Sequence, residues 1–200
     1  MPDGCPRVRY KARAQRRLRS PPSRPLTATF ESIPMTSIQP TPEDETTPEL
    51  TTGAMVVLEL ATPTRDEAVA VLAERLLAAR RIADLPGFLS DVHRHEHQLA
   101  TGLPGGIGLA HARSSFVAAP SICVGVMAYG HGLDFGAKDG AAHVVLLLAT
   151  PASSYSGHLS MLAALARSLA KESFRESLRR ANDPGVIAEL INSTVDFSTV

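Results

Sequence analysis

HVVLLLAT, residues 143–150, decides the fold. Val144 to Ala149 run apolar without a polar alternation, so this strand has no solvent face and reads as a central one covered on both sides. Cover on both sides requires helices, and they follow at once. Leu159, Leu162, Leu165, Ala166 and Leu169 recur at helical spacing and predict one long helix over about 157–171. A shorter helix carries Phe174 and Leu178. A last one opens with Asp183 as cap and Pro184 in its first position, burying Val186, Ile187, Leu190 and Ile191. Upstream, SICVGVMA (121–128) is a second β-branched apolar run, joined to the first by GHGLDFGAKDG, a stretch of turn chemistry. MVVLEL (55–60) reads as an edge strand. Thr64 with Glu67 forms a capping box for an amphipathic helix over 65–81, with Ala68, Val69, Val71, Leu72, Leu76 and Leu77 at helical spacing. Asp84 caps a further helix over about 85–98, with Pro86 in its first turn and Phe88, Leu89 and Val92 inward. Glycine-rich 102–108 ends that helix and leads into a short strand that finishes at His111. Strands interleaved with helices predict an α/β fold, a single layered domain with a mixed β-sheet flanked by helices.

The chain has 200 residues, 44% of them hydrophobic and only 4% aromatic, with no tryptophan, so the core must be aliphatic. A net charge of zero conceals segregation. Residues 1–24 hold eight basic residues against Asp3, residues 31–49 hold five acids and no base, and from Thr51 onward twelve basic residues face fourteen acidic ones. With many of the prolines and no sustained periodicity, residues 1–52 read as a disordered leader, basic and then acidic, ahead of a folded domain over 53–197. A basic arm suits nucleic acid or anionic lipid, but Tyr10 is its one aromatic for stacking, and no nucleic-acid partner is expected. Cys5 and Cys123 form no C-x-x-C pair, which argues against a zinc ribbon or disulfide framework and fits a reducing, cytoplasmic setting. No apolar run approaches the ~18 residues of a membrane span.

His111, in GGIGLAHAR (105–113), is the strongest candidate for chemistry. Imidazole titrates near pH ~6.5, and its neutral form is nucleophilic. Other clusters are weaker. His93 and His97 share metal-ligand spacing in DVHRHEHQ, but the run is not H-E-x-x-H, no third ligand is evident, and an exposed polar helix face is the default. No metal and no cofactor are expected. Gly102, Gly105, Gly106 and Gly108 match neither nucleotide fingerprint, although successive glycine N–H groups are able to converge on a small anion. His131 and His143 read as structural or exposed.

Four segments in order carry a resemblance. Thr101-Gly102-Leu103-Pro104-Gly105-Gly106-Ile107-Gly108-Leu109-Ala110-His111-Ala112 is similar to the motif T-G-x-G-x-G-I-A-I-P-H-[AG]. GHGLDFGAKDG, HVVLLLATP and GHLSMLAALARSLAKESFRESLRRA match the segments that follow it. From about Leu60 to Val195 the chain resembles the fructose/mannitol-type enzyme IIA domain of the bacterial sugar phosphotransferase system, with the loop from Asp134 to Gly140 favouring the fructose branch. Ala110 stands where the family has proline, and His95-Glu96 where it has an Arg-Glu pair.

The resemblance implies a phosphotransferase, a phosphohistidine relay. His111 would accept a phosphoryl group from HPr and pass it to a cysteine of an enzyme IIB during uptake of a fructose-type sugar. The membrane-embedded IIC permease would be the chain's only membrane contact. His158 occupies the position of the family's second active-site histidine, at a helix N-terminus that favours anions. Arg113 is a nearby cation. Arg94 lies one residue from the expected arginine position, a shift of about 100° around a helix, and His95 stands in that position itself. The alternative is a regulatory phospho-switch that binds a kinase or transcription factor rather than serving transport.

Overall fold

The computed structural model describes residues 49–96 and 101–194. The leader expected over 1–52 therefore lies outside the described residues up to Pro48. Leu50 and Thr51 are buried in the packed unit, which so begins a little ahead of the boundary expected at 53. Asn192 holds them: its side-chain oxygen accepts from the N–H groups of Leu50 (3.0 Å) and Thr51 (3.1 Å), and its amide donates to the Thr51 carbonyl.

Five strands make one mixed sheet: β1 (Val56–Leu60), β2 (Gly102–Leu103), β3 (Ile107–Ser114), β4 (Ser121–Met127) and β5 (Val144–Pro151), in the order β1-β4-β5-β3-β2. β5 is central, as its apolar run requires, and Val144 through Ala149 are sealed from solvent. It pairs antiparallel with β4 and parallel with β3, and the β3 register runs without slip from Ile107↔Val144 to Ser114↔Pro151. β1 lies at one edge, parallel to β4. At the other edge, β2 pairs with β3 only at Ile107 and Gly108, and the Leu109 N–H reaches the Thr101 carbonyl. The glycine-rich segment is thus a tight hairpin, with Gly105 and Gly106 at positive φ, rather than a plain breaker. β3 continues past His111 to Ser114.

Helices α1 (Arg65–Ala78) and α2 (Leu85–Glu96) pack with Val145, Leu147 and Ala149 on one face of the sheet. Helices α3 (Tyr155–Leu169), α4 (Glu172–Arg180) and α5 (Pro184–Asn192) pack with Val144, Leu146 and Leu148 on the other. The expected caps operate. The Glu67 N–H donates to Thr64 Oγ1, the Gly87 N–H to Asp84, and the Gly185 N–H to Asp183.

Three expectations shift. α1 stops at Ala78 because Arg80 takes a left-handed conformation (φ 57°), while the Arg80 and Arg81 N–H groups close back on Leu77 and Leu76. That is a Schellman closure without glycine. α3 begins two residues early, and its buried stripe is His158, Met161, Ala164, Leu165 and Leu169, leaving Leu159 exposed. On α5, Val186 is exposed, and Ile187, Ala188 and Ile191 face the core.

The loop after β4 folds over the hairpin and buries Phe135 against Gly108. A Cβ on Gly108 would lie 2.6 Å from that ring, which has nowhere to go. Gly108→Ala is expected to destabilise by about 1–3 kcal/mol through overpacking. A thermal melt should then fall by roughly 2–4 °C per kcal/mol for a domain of this size. An unchanged melting temperature would show that the contact is not tight.

Candidate functional site

β3 is an edge strand beyond Leu109, and that is where it carries His111. Its odd-numbered residues face α3. His111 and Arg113 therefore stand side by side on that surface, while Ala110 and Ala112 are buried in the opposite core. β5 delivers the chain into α3, whose first turn places His158 against the same surface. The rings of His111 and His158 lie 5.7 Å apart, centre to centre. α2, packed on the other side of the sheet, brings its C-terminal end to the open edge, where the His95 ring lies 6.2 Å from that of His111. Three imidazoles from three elements thus converge on one strand edge.

The polar partners of these rings differ. His158, nearly buried, has its Nδ1 2.8 Å from Thr150 Oγ1. His95 has its Nδ1 2.8 Å from the Asp91 carbonyl, which accepts from it. His111 Nδ1 is buried and has no hydrogen-bond partner among the described residues. With Nδ1 sealed inside, Nε2 is the nitrogen left for an incoming group.

Arg113 Nε is likewise buried without a partner among the described residues, and its guanidinium carbon lies 5.0 Å from the centre of the Tyr155 ring. Arg94 instead forms a 2.9 Å ion pair with Asp91 on its own helix. Because His95 meets His111, its neighbour Arg94 is rotated away from the ring by about 100°. The structure brings together His111, His158, His95 and Arg113, and leaves Arg94 outside the group.

Every electrostatic influence on the pair has the same sign. Burial pushes the His111 imidazole below its ordinary value of 6.5, and charge on His95 pushes it further down. Burial lowers His158 as well, followed by the charges of His111, Arg113 and His95. Near pH ~7 both rings are neutral, which leaves a nitrogen lone pair free for nucleophilic attack.

The remaining candidates fall away from this cluster. The Gly105 N–H donates to Asp139 at 2.6 Å, so the hairpin amide is already taken by a carboxylate of the chain. His143 Nδ1 lies 3.0 Å from the His131 carbonyl. Cys123 is buried, its thiol donates to the Met55 carbonyl, and burial first of all pushes it up to about 12, which disqualifies it as a nucleophile. His97 lies outside the described residues. No helix among the described residues is long and apolar enough to cross a membrane. Sequence reading passed over Thr150 and Tyr155. For Thr150 the available signal was parity: it is the one hydroxyl on the α3 face of β5, in line with Val144, Leu146 and Leu148.

Comparison with known proteins agrees with this geometry. The family model described as phosphoenolpyruvate-dependent sugar phosphotransferase system, EIIA 2, matches residues 49–194. The chain is 29% identical over 143 residues to the PTS system fructose-specific EIIA component of Haloferax volcanii, covering 71% of this chain and 92% of that protein. It is 27% identical over 145 residues to the fructose-specific EIIABC component of Bacillus subtilis, covering 72% of this chain and 22% of that longer protein. Among solved structures, the nitrogen regulatory protein IIA-Ntr of Neisseria meningitidis superposes with a TM-score of 0.65 at 19% identity, over 72% of this chain and 97% of that one. The mannitol enzyme IIA of Escherichia coli, solved in complex with its phosphorylated enzyme IIB, gives 0.60 at 18% identity, over 72% and 97%. At these identities the solved structures establish the fold.

The site's titration supplies a direct check. In an NMR pH titration, His111 and His158 should both titrate below 6.5, and His95→Asn should move His111 upward. The linkage has a definite sign. Between the lowered folded values and the ordinary value, the unfolded chain binds more protons, so stability falls as pH drops through that window. Denaturant unfolding at pH ~5.5 should show a lower midpoint than at pH ~7.5. A His111 that titrates at or above 6.5 contradicts the electrostatic picture.

Proposed function

The chain belongs to the EIIA 2 family of the phosphoenolpyruvate-dependent sugar phosphotransferase system, and we propose from that premise that His111 is the residue that accepts the phosphoryl group. The protein is a phosphocarrier of that system, a phosphotransferase relay component. EIIA domains of this kind work with an EIIB partner. The observation that carries the assignment of His111 is its setting: a neutral imidazole, one nitrogen sealed, ringed by His158, His95 and Arg113.

Nε2 of His111 attacks the phosphorus carried by the donor, for which the reading takes the phosphohistidine of HPr. The donor's N–P bond breaks, its electron pair returns to the donor imidazole, and a new P–N bond forms on His111. Attack through Nε2 uses the tautomer that carries its proton on Nδ1, and that proton stays in place. The attacking ring needs no base, because it already holds a lone pair. What the site contributes is position and positive charge for the three phosphoryl oxygens. Arg113 supplies the permanent charge, and the rings of His158 and His95 flank His111 on either side.

In the second half-reaction a cysteine thiolate of an enzyme IIB takes the phosphoryl group, the P–N bond breaks, and His111 recovers its lone pair. Tyr155 and Leu159 share one exposed face of α3 beside His158, and they suit an apolar contact with partners that must separate after each transfer. The fructose-specific names of the relatives favour a fructose-type sugar, delivered through IIB and a membrane IIC permease, in the cytoplasm. The regulatory reading has less support, because the likeness to IIA-Ntr is one of fold.

Incubation with enzyme I, HPr and labelled phosphoenolpyruvate tests this. The wild type should take up one phosphoryl group and His111→Ala none. His158→Gln should be labelled about 10²-fold more slowly, the usual loss for one donor to a developing charge. Label on the wild type that cannot be handed to a fructose enzyme IIB would sink the transport reading. Full labelling of His111→Ala would sink the site.

A further inference from the structure

We propose that Thr150 is a positioning residue of this site, fixing the tautomer of His158 so that its Nε2 is the unprotonated nitrogen left for the cleft. Thr150 is completely buried near the end of a strand whose preceding six residues are apolar. A hydroxyl at such a place is costly unless it is hydrogen-bonded. It has two partners. Oγ1 lies 2.8 Å from His158 Nδ1, and it donates to the Ala112 carbonyl at 3.4 Å.

The proton bookkeeping follows from what each group is able to give. A carbonyl only accepts, and a threonine hydroxyl has one hydrogen and two lone pairs. With that hydrogen directed at Ala112, the oxygen receives the N–H of His158 Nδ1. The 2.8 Å contact is the strong one, and the longer contact sets its direction. Neutral His158 then carries its proton on Nδ1 and a lone pair on Nε2.

This arrangement serves both states of the relay without internal rearrangement, a step that rests on phosphorylation of His111. When the phosphoryl dianion arrives, Nε2 takes a proton from solvent and donates it as a hydrogen bond to a phosphoryl oxygen. Nδ1–H stays on Thr150 throughout. At rest, burial first of all, and then His111, Arg113 and His95, lower the ring's affinity for a second proton. The phosphoryl charge reverses that balance. Had the hydroxyl donated to Nδ1 instead, protonation of the ring would first require the hydroxyl to turn. Ala112 sits next to His111, so the same hydroxyl also ties the helix histidine to the strand that carries the nucleophile.

The test separates the hydrogen bond from the reaction. In ¹⁵N-resolved imidazole spectra of the unphosphorylated wild type, His158 should show a protonated Nδ1 and a bare Nε2. Thr150→Val, close in shape but without the hydroxyl, should lose that single tautomer and slow the labelling of His111 by about 10–100-fold, as outer-shell partners of a histidine do. Thr150→Ser should restore both. A protonated Nε2 in the wild type overturns the proposal, as does a Thr150→Val protein with wild-type tautomer and rate. Should Thr150→Val fail to fold, the wild-type tautomer and the rate of Thr150→Ser decide. If the tautomer pattern holds but His111 of the wild type takes no label, the phosphorylation reading fails and the Thr150–His158 bond stands.

Discussion

A strand with no polar face constrains everything else in this molecule. Val144 to Ala149 cannot meet water on either side, so the chain must supply cover for two faces, and α1 and α2 cover one while α3 to α5 cover the other. Two-sided cover with β5 at the centre leaves the outer positions to shorter strands. β2 is so short that β3 becomes an edge within three residues. His111 lies just past that point. The core therefore fixes the backbone of His111 through an unbroken β3–β5 register while leaving its side chain at an open edge. A rigid scaffold with an accessible edge is what a relay between two macromolecules requires.

The same geometry explains the charge of the site. His111 draws its neighbours from β3, α3 and α2, and the charges that act on it and on His158 are all positive. Such a site strains against its own protonation when empty and is relieved by an anion. Burial and like charge both favour the neutral ring of His111, and of the two only the positive charge around it would also favour a bound phosphoryl dianion, as the proposed reading requires. Arg113, buried at Nε without a hydrogen-bond partner among the described residues and with its guanidinium over Tyr155, adds a fixed positive charge to that surface.

Much of the fold was legible because its signals are local. Thr64, Asp84 and Asp183 cap helices through bonds to amides two or three residues on, and the apolar run of β5 needs no partner to be read. The failures share a cause in tertiary context. Leu159 looked like core because its spacing fits, but α3 turns His158 and Met161 inward, and Leu159 goes to solvent. Arg80 ends α1 in a conformation that sequence associates with glycine. His111 was named from its own segment and His158 by resemblance, and only the fold shows them 5.7 Å apart. Thr150 was silent because threonine is an ordinary strand residue. Its importance depends on what α3 sets against it.

The two departures from the family pattern differ in weight. Ala110 is buried in the β3–β5 ladder, and since the Leu109 N–H points to the β2 side, alternation turns the Ala110 N–H toward β5. Proline has no N–H to give there, so alanine leaves the strand under His111 at least as well anchored. His95 is the deeper change. An arginine in its place would bring a longer, five-donor guanidinium beside His111, whereas the imidazole meets that ring at 6.2 Å, centre to centre. His95 donates its Nδ1–H to the Asp91 backbone carbonyl in the last turn of α2. The substitution exchanges a flexible guanidinium for a ring tied to its own helix.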